Sequence, residues 1–240
     1  YRLLGPLVSG RMTRVSGVAG DPNVFYASAA QGGLWKSTDG GHAFAPIFDE
    51  QETQSIGSFA LAPSDSNVIY VGSGEANIRG NVALGYGIWK SEDAGASFSQ
   101  VLRLRGQIGT MAVHPSNPDV AFAAVLGSPF AAGPERGVYR TQDGGKNWRK
   151  VLFINDDTGA SDVAISASNP RVVIAGLWQA RRTPWGLTSG GAGSGLQRSS
   201  DGGDTWSDLD AAAGLPKKPW GKVGVAMAPS DANRVYALIE

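Results

Sequence analysis

The sequence predicts an all-β fold built from repeated four-stranded antiparallel units, and three observations predict it. A turn of the pattern Ser/Thr-x-Asp-x-Gly-x-x-aromatic occurs four times, with its Asp at 39, 93, 143 and 201. A second turn, rich in Pro, Ser, Asn and Asp, stands five times before a β-branched or aromatic run, ahead of Val24, Val68, Val120, Val172 and Val235. Stretches with a helical period are missing. A unit of roughly 50–60 residues with four short strands describes the blade of a β-propeller.

Each element has a physical reason. The Asp carboxylate accepts hydrogen bonds from backbone N–H groups just after it and closes the turn locally. Gly supplies the positive φ such a turn needs. The aromatic (Phe44, Phe98, Trp148 and Trp206) opens the next strand and tucks beneath the turn. Asp39, Asp93, Asp143 and Asp201 are therefore read as structural. Ala94 stands where the other three copies have Gly, so that turn must bend through Ala. In the second unit the strands are expected at Ser58–Ala62, Val68–Gly72, Gly87–Ser91 and Ser97–Leu102, here called A to D. Their apolar faces on both sides suit sheets covered by a neighbour on each face. Trp35, Trp89 and Tyr139 on successive C strands are expected in the core between blades.

The blades are expected at about 11–48, 56–102, 108–153 and 161–209, with a partial one at 222–240. Residues 1–240 then form part of a propeller. Tyr1–Leu4 reads as the outer strand of a closing blade, and the remainder is expected beyond residue 240. Two blade faces left uncovered should drive association.

Composition narrows the chemistry. The chain has 240 residues, no Cys and a formal net charge of zero. Thiolate metal sites and thiol nucleophiles are excluded, and nucleic acid is a poor partner without a basic excess. No apolar run approaches the ~18 residues of a membrane span. His42 and His114 lack metal-ligand neighbours at useful spacing, and the Asp turns fail the calcium-loop pattern, so no metal or cofactor is expected. The glycine-rich stretch 189–195 lacks the Lys-Ser/Thr ending of a phosphate loop and reads as a flexible or tight return.

Antiparallel order puts the A–B and C–D turns on one face and the B–C and D–A loops on the other. The irregular loops, where repeat scaffolds carry function, all fall on the second face. Glu75, Asn77 and Arg79 share one B–C loop; Arg181, Arg182 and Trp185 share another, read as irregular over 179–195. Arg11 and Arg14 enter the first inner strand, and Asp162 begins the fourth. Carboxylate, guanidinium and aromatic groups together suit a sugar or an acidic peptide. The structural alternative is an ion pair between Glu75 and Arg79 that fixes the loop, with Trp185 as a lid.

The Asp turns resemble the BNR or Asp-box repeats of sialidases, xyloglucanase-type glycoside hydrolases and sortilin-type (VPS10) propellers. The nearer resemblance is to bacterial sortilin-N-terminal/VPS10-like propellers, often labelled glycosyl hydrolases. It rests on the stretch Gly32–Gly41, on Gly74–Arg79 and on Arg182–Leu196. The resemblance implies a periplasmic or extracellular, secreted protein. The sialidase Arg-Ile-Pro is missing. Where xyloglucanase-type enzymes carry a catalytic Asp in their first blade, this chain has Ala30. The expected function is a binding or scaffold propeller for a protein, peptide or carbohydrate ligand. The alternative is a polysaccharide-acting glycoside hydrolase using Glu75 and Asp162, which requires two carboxylates across an open groove.

Overall fold

The computed structural model describes residues 11–209, 211 and 214–240, so the strand expected at Tyr1–Leu4 lies outside the described residues. Every regular element among the described residues is a strand. The first sheet is β1 (Met12–Val18), β2 (Asp21–Ala29), β3 (Leu34–Ser37) and β4 (Ala45–Pro46), and the second is β5 (Ile56–Ala62), β6 (Asp65–Ser73), β7 (Gly87–Ser91) and β8 (Ser99–Arg103). The third is β9 (Gln107–His114), β10 (Asn117–Gly127), β11 (Gly137–Thr141) and β12 (Arg149–Leu152). The fourth holds β13 (Thr158–Ile165), β14 (Val173–Thr183), β16 (Gly195–Ser199) and β17 (Ser207–Asp208), with β15 (Gly186–Ser189) paired to the far end of β14. β18 (Val223–Ala228) and β19 (Asp231–Ile239) pair as a two-stranded sheet. Neighbouring strands run antiparallel in sequence order, giving the blades of a β-propeller.

The A–B turns are tighter than the sequence suggests. Ala62 pairs with Asp65 and His114 with Asn117, leaving two residues at these corners, while the fourth blade, with Ile165 opposite Val173, keeps a longer turn. The Asp or Asn that follows accepts the N–H two residues on, as Asp65 does from Asn67 at 3.0 Å. That local bond starts strand B early and shifts its register at the corner.

The Asp turns share one bonding scheme. The hydroxyl of Ser37, Ser91, Thr141 or Ser199 donates to the Asp Oδ1 at 2.7–2.9 Å. It also accepts the N–H of the second Gly at 2.8–2.9 Å. The same Oδ1 accepts the backbone N–H four residues beyond the Asp at 2.9 Å. This bonding delays strand D, which starts after the aromatic and not before it: β8 opens at Ser99, β12 at Arg149. Ala94 takes a φ of 57°, the αL region its Gly counterparts occupy.

The core lies in the seams between sheets. Tyr26, Phe48, Phe59 and Trp89 fill the first seam, and Tyr70, Ile88, Met111 and Val125 the second. Phe122, Val138, Val163 and Leu177 fill the third. Tyr139 packs at the edge of the second seam, but Trp35 is half-buried and fills no seam among the described residues, because its side of the first sheet has no described neighbour. Side chains also latch each blade forward. Tyr26 Oη and Lys36 Nζ donate to Ala94 O at 3.0 and 2.9 Å, Tyr70 Oη to Pro118 O at 3.0 Å, and Arg140 Nη1 to Gly202 O at 2.5 Å.

Inner strands β1, β5, β9, β13 and β18 stand side by side around the axis. Gly57 and Gly109 permit this approach: a Cβ there would lie 2.0 Å from Ile108 O and 2.4 Å from Ser161 O.

Candidate functional site

On the loop face, Ser73 closes the base of the 75–85 loop by accepting the N–H groups of Tyr86 and Gly87 at 2.7 and 3.0 Å. Glu75, just past that closure, is fully buried. Its carboxylate pairs with the Arg11 guanidinium on one oxygen and stands 3.5 Å from Arg79 Nε on the other. Arg11 also donates to Asn77 O at 2.9 Å. A buried carboxylate is costly unless paired, and two half-exposed guanidiniums meet that need here. The acid is enclosed between a cation of its own loop and one of the first blade.

Asn77 faces the axis. Its Oδ1 accepts from Lys222 Nζ at 2.8 Å, and that ammonium lies 5.7 Å from the centre of the Trp178 ring. Burial pulls the Lys222 pKa below its usual value, against the opposing pull of Asp162 and Glu240. Asn77, Lys222, Asp162 and Glu240 line an axial cavity of about 620 Å³ together with Thr13, Thr110 and Ser161. Asp162 also lines a second axial cavity of about 450 Å³ toward the turn face, with Arg14. Asp162 therefore sits at the waist of the channel. It lies within β13 and not at its start, because that strand already begins at Thr158. Its Oδ1 accepts Val163 N–H at 2.9 Å and its Oδ2 accepts Val225 N–H at 2.8 Å. Glu240 escaped the sequence reading. Its Oε2 accepts from Ser189 Oγ at 2.6 Å and from Lys222 N–H at 3.0 Å, and these bonds hold its pKa below the usual carboxylate value.

The segment expected to be an irregular loop over 179–195 is largely a β-hairpin. β14 runs on to Thr183, turns through Pro184 and Trp185, and returns as β15, with Arg182 opposite Leu187. A two-residue corner suffices to join the paired arms. Trp185 rides the tip, 87% exposed. Arg181 Nη2 donates to Asp157 at 2.5 Å. Arg182 donates its backbone N–H to Pro129 O at 2.7 Å, and its Nη2 lies 3.5 Å from where a Cβ on Gly80 would be. Its Nε is buried with no acceptor. The glycine-rich return is pinned, since Gly193 N–H donates to Gln179 Oε1 at 3.0 Å and Gln179 N–H to Ser194 Oγ at 2.9 Å.

Three loops are locked together. Ala76 and Ile78 pack with Leu126, Trp178 and Ala180. Arg136, fully buried, donates to the carbonyls of Leu126, Ser128 and Ala131 at 2.8, 2.6 and 3.0 Å, and so fixes the 128–137 loop that carries Phe130. In the sequence Arg136 reads like any surface arginine beside a Gly. The structure thus gathers Glu75, Asn77 and Arg79 with Arg11 and Lys222, sets Arg182 beside that loop, and places Asp162 across the cavity wall from Asn77. Arg181 pairs away with Asp157, and Glu75 does not line the cavity.

No family model matches the chain. In sequence it is 30% identical over 157 residues to a xyloglucanase of a Paenibacillus species, a match covering 63% of this chain and 14% of that protein. In structure it is similar to an ancestral GH74 enzyme, at a TM-score of 0.72 and 20% identity over 98% of this chain and 30% of that one. The Niastella koreensis GH74 enzyme gives 0.67 at 19% identity, over 94% and 34% of the two chains. The Xanthomonas campestris GH74 xyloglucanase gives 0.65 at 22% identity, over 92% and 34%. The fold is that of a β-propeller, and the chain spans about a third of the length of these solved structures. The likeness falls on the xyloglucanase side of the expected resemblance; these relatives give no support to the sortilin-type assignment.

Proposed function

We propose that the chain is a propeller binding module that engages a carbohydrate, peptide or protein through its B–C and D–A loops. Asn77, Arg79, Arg182 and Trp185 make the contacts, Arg181 borders them, and Glu75 braces the loop from behind. The observation that carries this reading is the Glu75 carboxylate held between Arg11 and Arg79. An acid in that setting orients cations and is not free to exchange protons with a substrate. Ala30, whose N–H donates to Arg11 O at 2.8 Å, leaves the first blade without the catalytic Asp that the resemblance to xyloglucanase-type enzymes would place there. The xyloglucanase likeness puts a glycan first among ligands, and a glycan ligand puts the protein in the periplasm or outside the cell.

A second reading, a glycoside hydrolase, is favoured by one observation: Asp162 and Glu240 share the wall of the 620 Å³ cavity. Calorimetric titration with a soluble polysaccharide panel, followed by a reducing-sugar assay on the same mixtures, separates the two. Binding without sugar release is expected. Sugar release that disappears in Glu75→Gln, with the circular dichroism spectrum unchanged, would overturn the binding reading. Release that disappears only in Asp162→Asn or Glu240→Gln would establish the hydrolase.

A further inference from the structure

Resting on the binding reading, we propose that the ligand is an acidic glycan, and that a uronate carboxylate docks between Arg79 and Arg182 at the junction of the 75–85, 128–137 and 179–195 loops. The pairing of the arginines points there. Arg11 and Arg79 share the single carboxylate of Glu75, and Asp157 is taken by Arg181. Arg182 has neither an ion pair nor a side-chain hydrogen bond among the described residues, and its Nε is shut off from water without an acceptor. A guanidinium presents five donors in a planar fork matched to a carboxylate, and leaving them unused in a partly buried place is costly. An incoming carboxylate that reaches the Nη groups gives those donors an acceptor.

The setting favours a sugar over a peptide. Trp185 is 87% exposed at the hairpin tip, and Phe130 is 44% exposed on the loop whose Pro129 O receives the Arg182 N–H. Two uncovered aromatic side chains flanking a cation give flat apolar faces for sugar rings beside a charge for the acid. The surfaces are pre-formed, because Arg136 fixes one loop, the Glu75 ion pairs another and the β14–β15 pairing the third. Little ordering is left for the ligand to drive, which favours affinity.

The test is calorimetric titration of the whole chain with four probes: a hexagalacturonate, its methyl ester, a neutral xyloglucan oligosaccharide and an oligoglutamate peptide. The hexagalacturonate is expected to bind at least tenfold more tightly than the other three, and to weaken as salt is raised. Arg182→Gln is expected to remove at least tenfold of that affinity with the melting temperature unchanged, and Trp185→Ala to weaken binding further. Equal binding of ester and acid, or preference for the neutral oligosaccharide, would overturn the acidic-glycan proposal while leaving the binding module intact. Preference for the oligoglutamate would move the partner to acidic peptides and overturn it likewise. No binding by any probe would overturn the acidic-glycan proposal and, with it, the placing of a glycan first among ligands.

Discussion

Ala94 holds a φ of 57° in the turn where Gly40, Gly144 and Gly202 hold 73°, 73° and 80°. For an L-residue with a side chain, that region costs roughly 1–2 kcal/mol, partly recovered because Ala has less freedom to lose than Gly on folding. Its backbone also serves the neighbouring blade, since its carbonyl receives Tyr26 and Lys36. Ala94→Gly keeps every one of those bonds and is expected to stabilise the protein by about 0.5–1 kcal/mol. A shift of the urea midpoint to higher concentration checks this; an unchanged or lower midpoint counts against it. The sequence showed the anomaly because three sibling turns stood beside it. It did not show that Glu75 pairs with Arg11, since the partner comes from another blade, nor that Arg136 is buried, since nothing local separates a buried arginine from a solvated one. Glu240 was hidden for the same reason: its neighbours Ser189 and Lys222 lie 51 and 18 residues away.

The turn is the element that repeats most faithfully, and its bonding makes a pH prediction. Hydrogen bonds from the Ser97 side chain and backbone, then from Ser91, lower the Asp93 pKa to about 2. Thr205 and Ser199 hold Asp201 lower still, and Asp39 and Asp143 are depressed by the same kind of bonds, led by Ala43 N–H and the Asn147 side chain. A carboxylate whose folded pKa lies below its unfolded value stabilises the fold above the unfolded value and loses that stabilisation as pH falls through the folded one. The melting temperature is therefore expected to hold steady above about pH 5 and to fall between about pH 4 and pH 2. Asp93→Asn should show a shallower fall across that window, and an identical fall would remove Asp93 from the account. These turns were legible because their chemistry is local. The β14–β15 hairpin was not: Pro184 and the run of glycines read as loop signals, while the pairing of Arg182 with Leu187 across a two-residue corner makes the strands.

At the scale of the molecule, stability comes from seams that no blade can build alone. Tyr26, Tyr70 and Phe122 on successive B strands are buried against the next blade, while Tyr236, at the same place on β19, is 60% exposed and Leu238 is 81% exposed. An apolar sheet face of this kind seeks cover. The isolated chain is expected to self-associate with rising concentration in sedimentation velocity, and the pair Tyr236→Lys and Leu238→Lys to reduce that association. A wild-type chain that sediments as a monomer at high concentration would contradict this. The propeller class was readable because the repeat spacing and two turn types recur along the whole chain. Which residues line the axial channel was not, since the lining arises only when inner strands from different blades stand together.

The forward latches have a mechanical consequence. Lys36 grips the corner of the second blade and Arg140 that of the fourth, and among the described bonds to these turn corners no cation reaches back to the preceding blade. The blades are lapped like slates, each held at its corner by the one laid before. Peeling such an array from its last member releases only the grip upon that member, whereas pulling out an early one unfastens the corner of its successor as well, so disassembly has a preferred direction written into a handful of lysines, arginines and tyrosines.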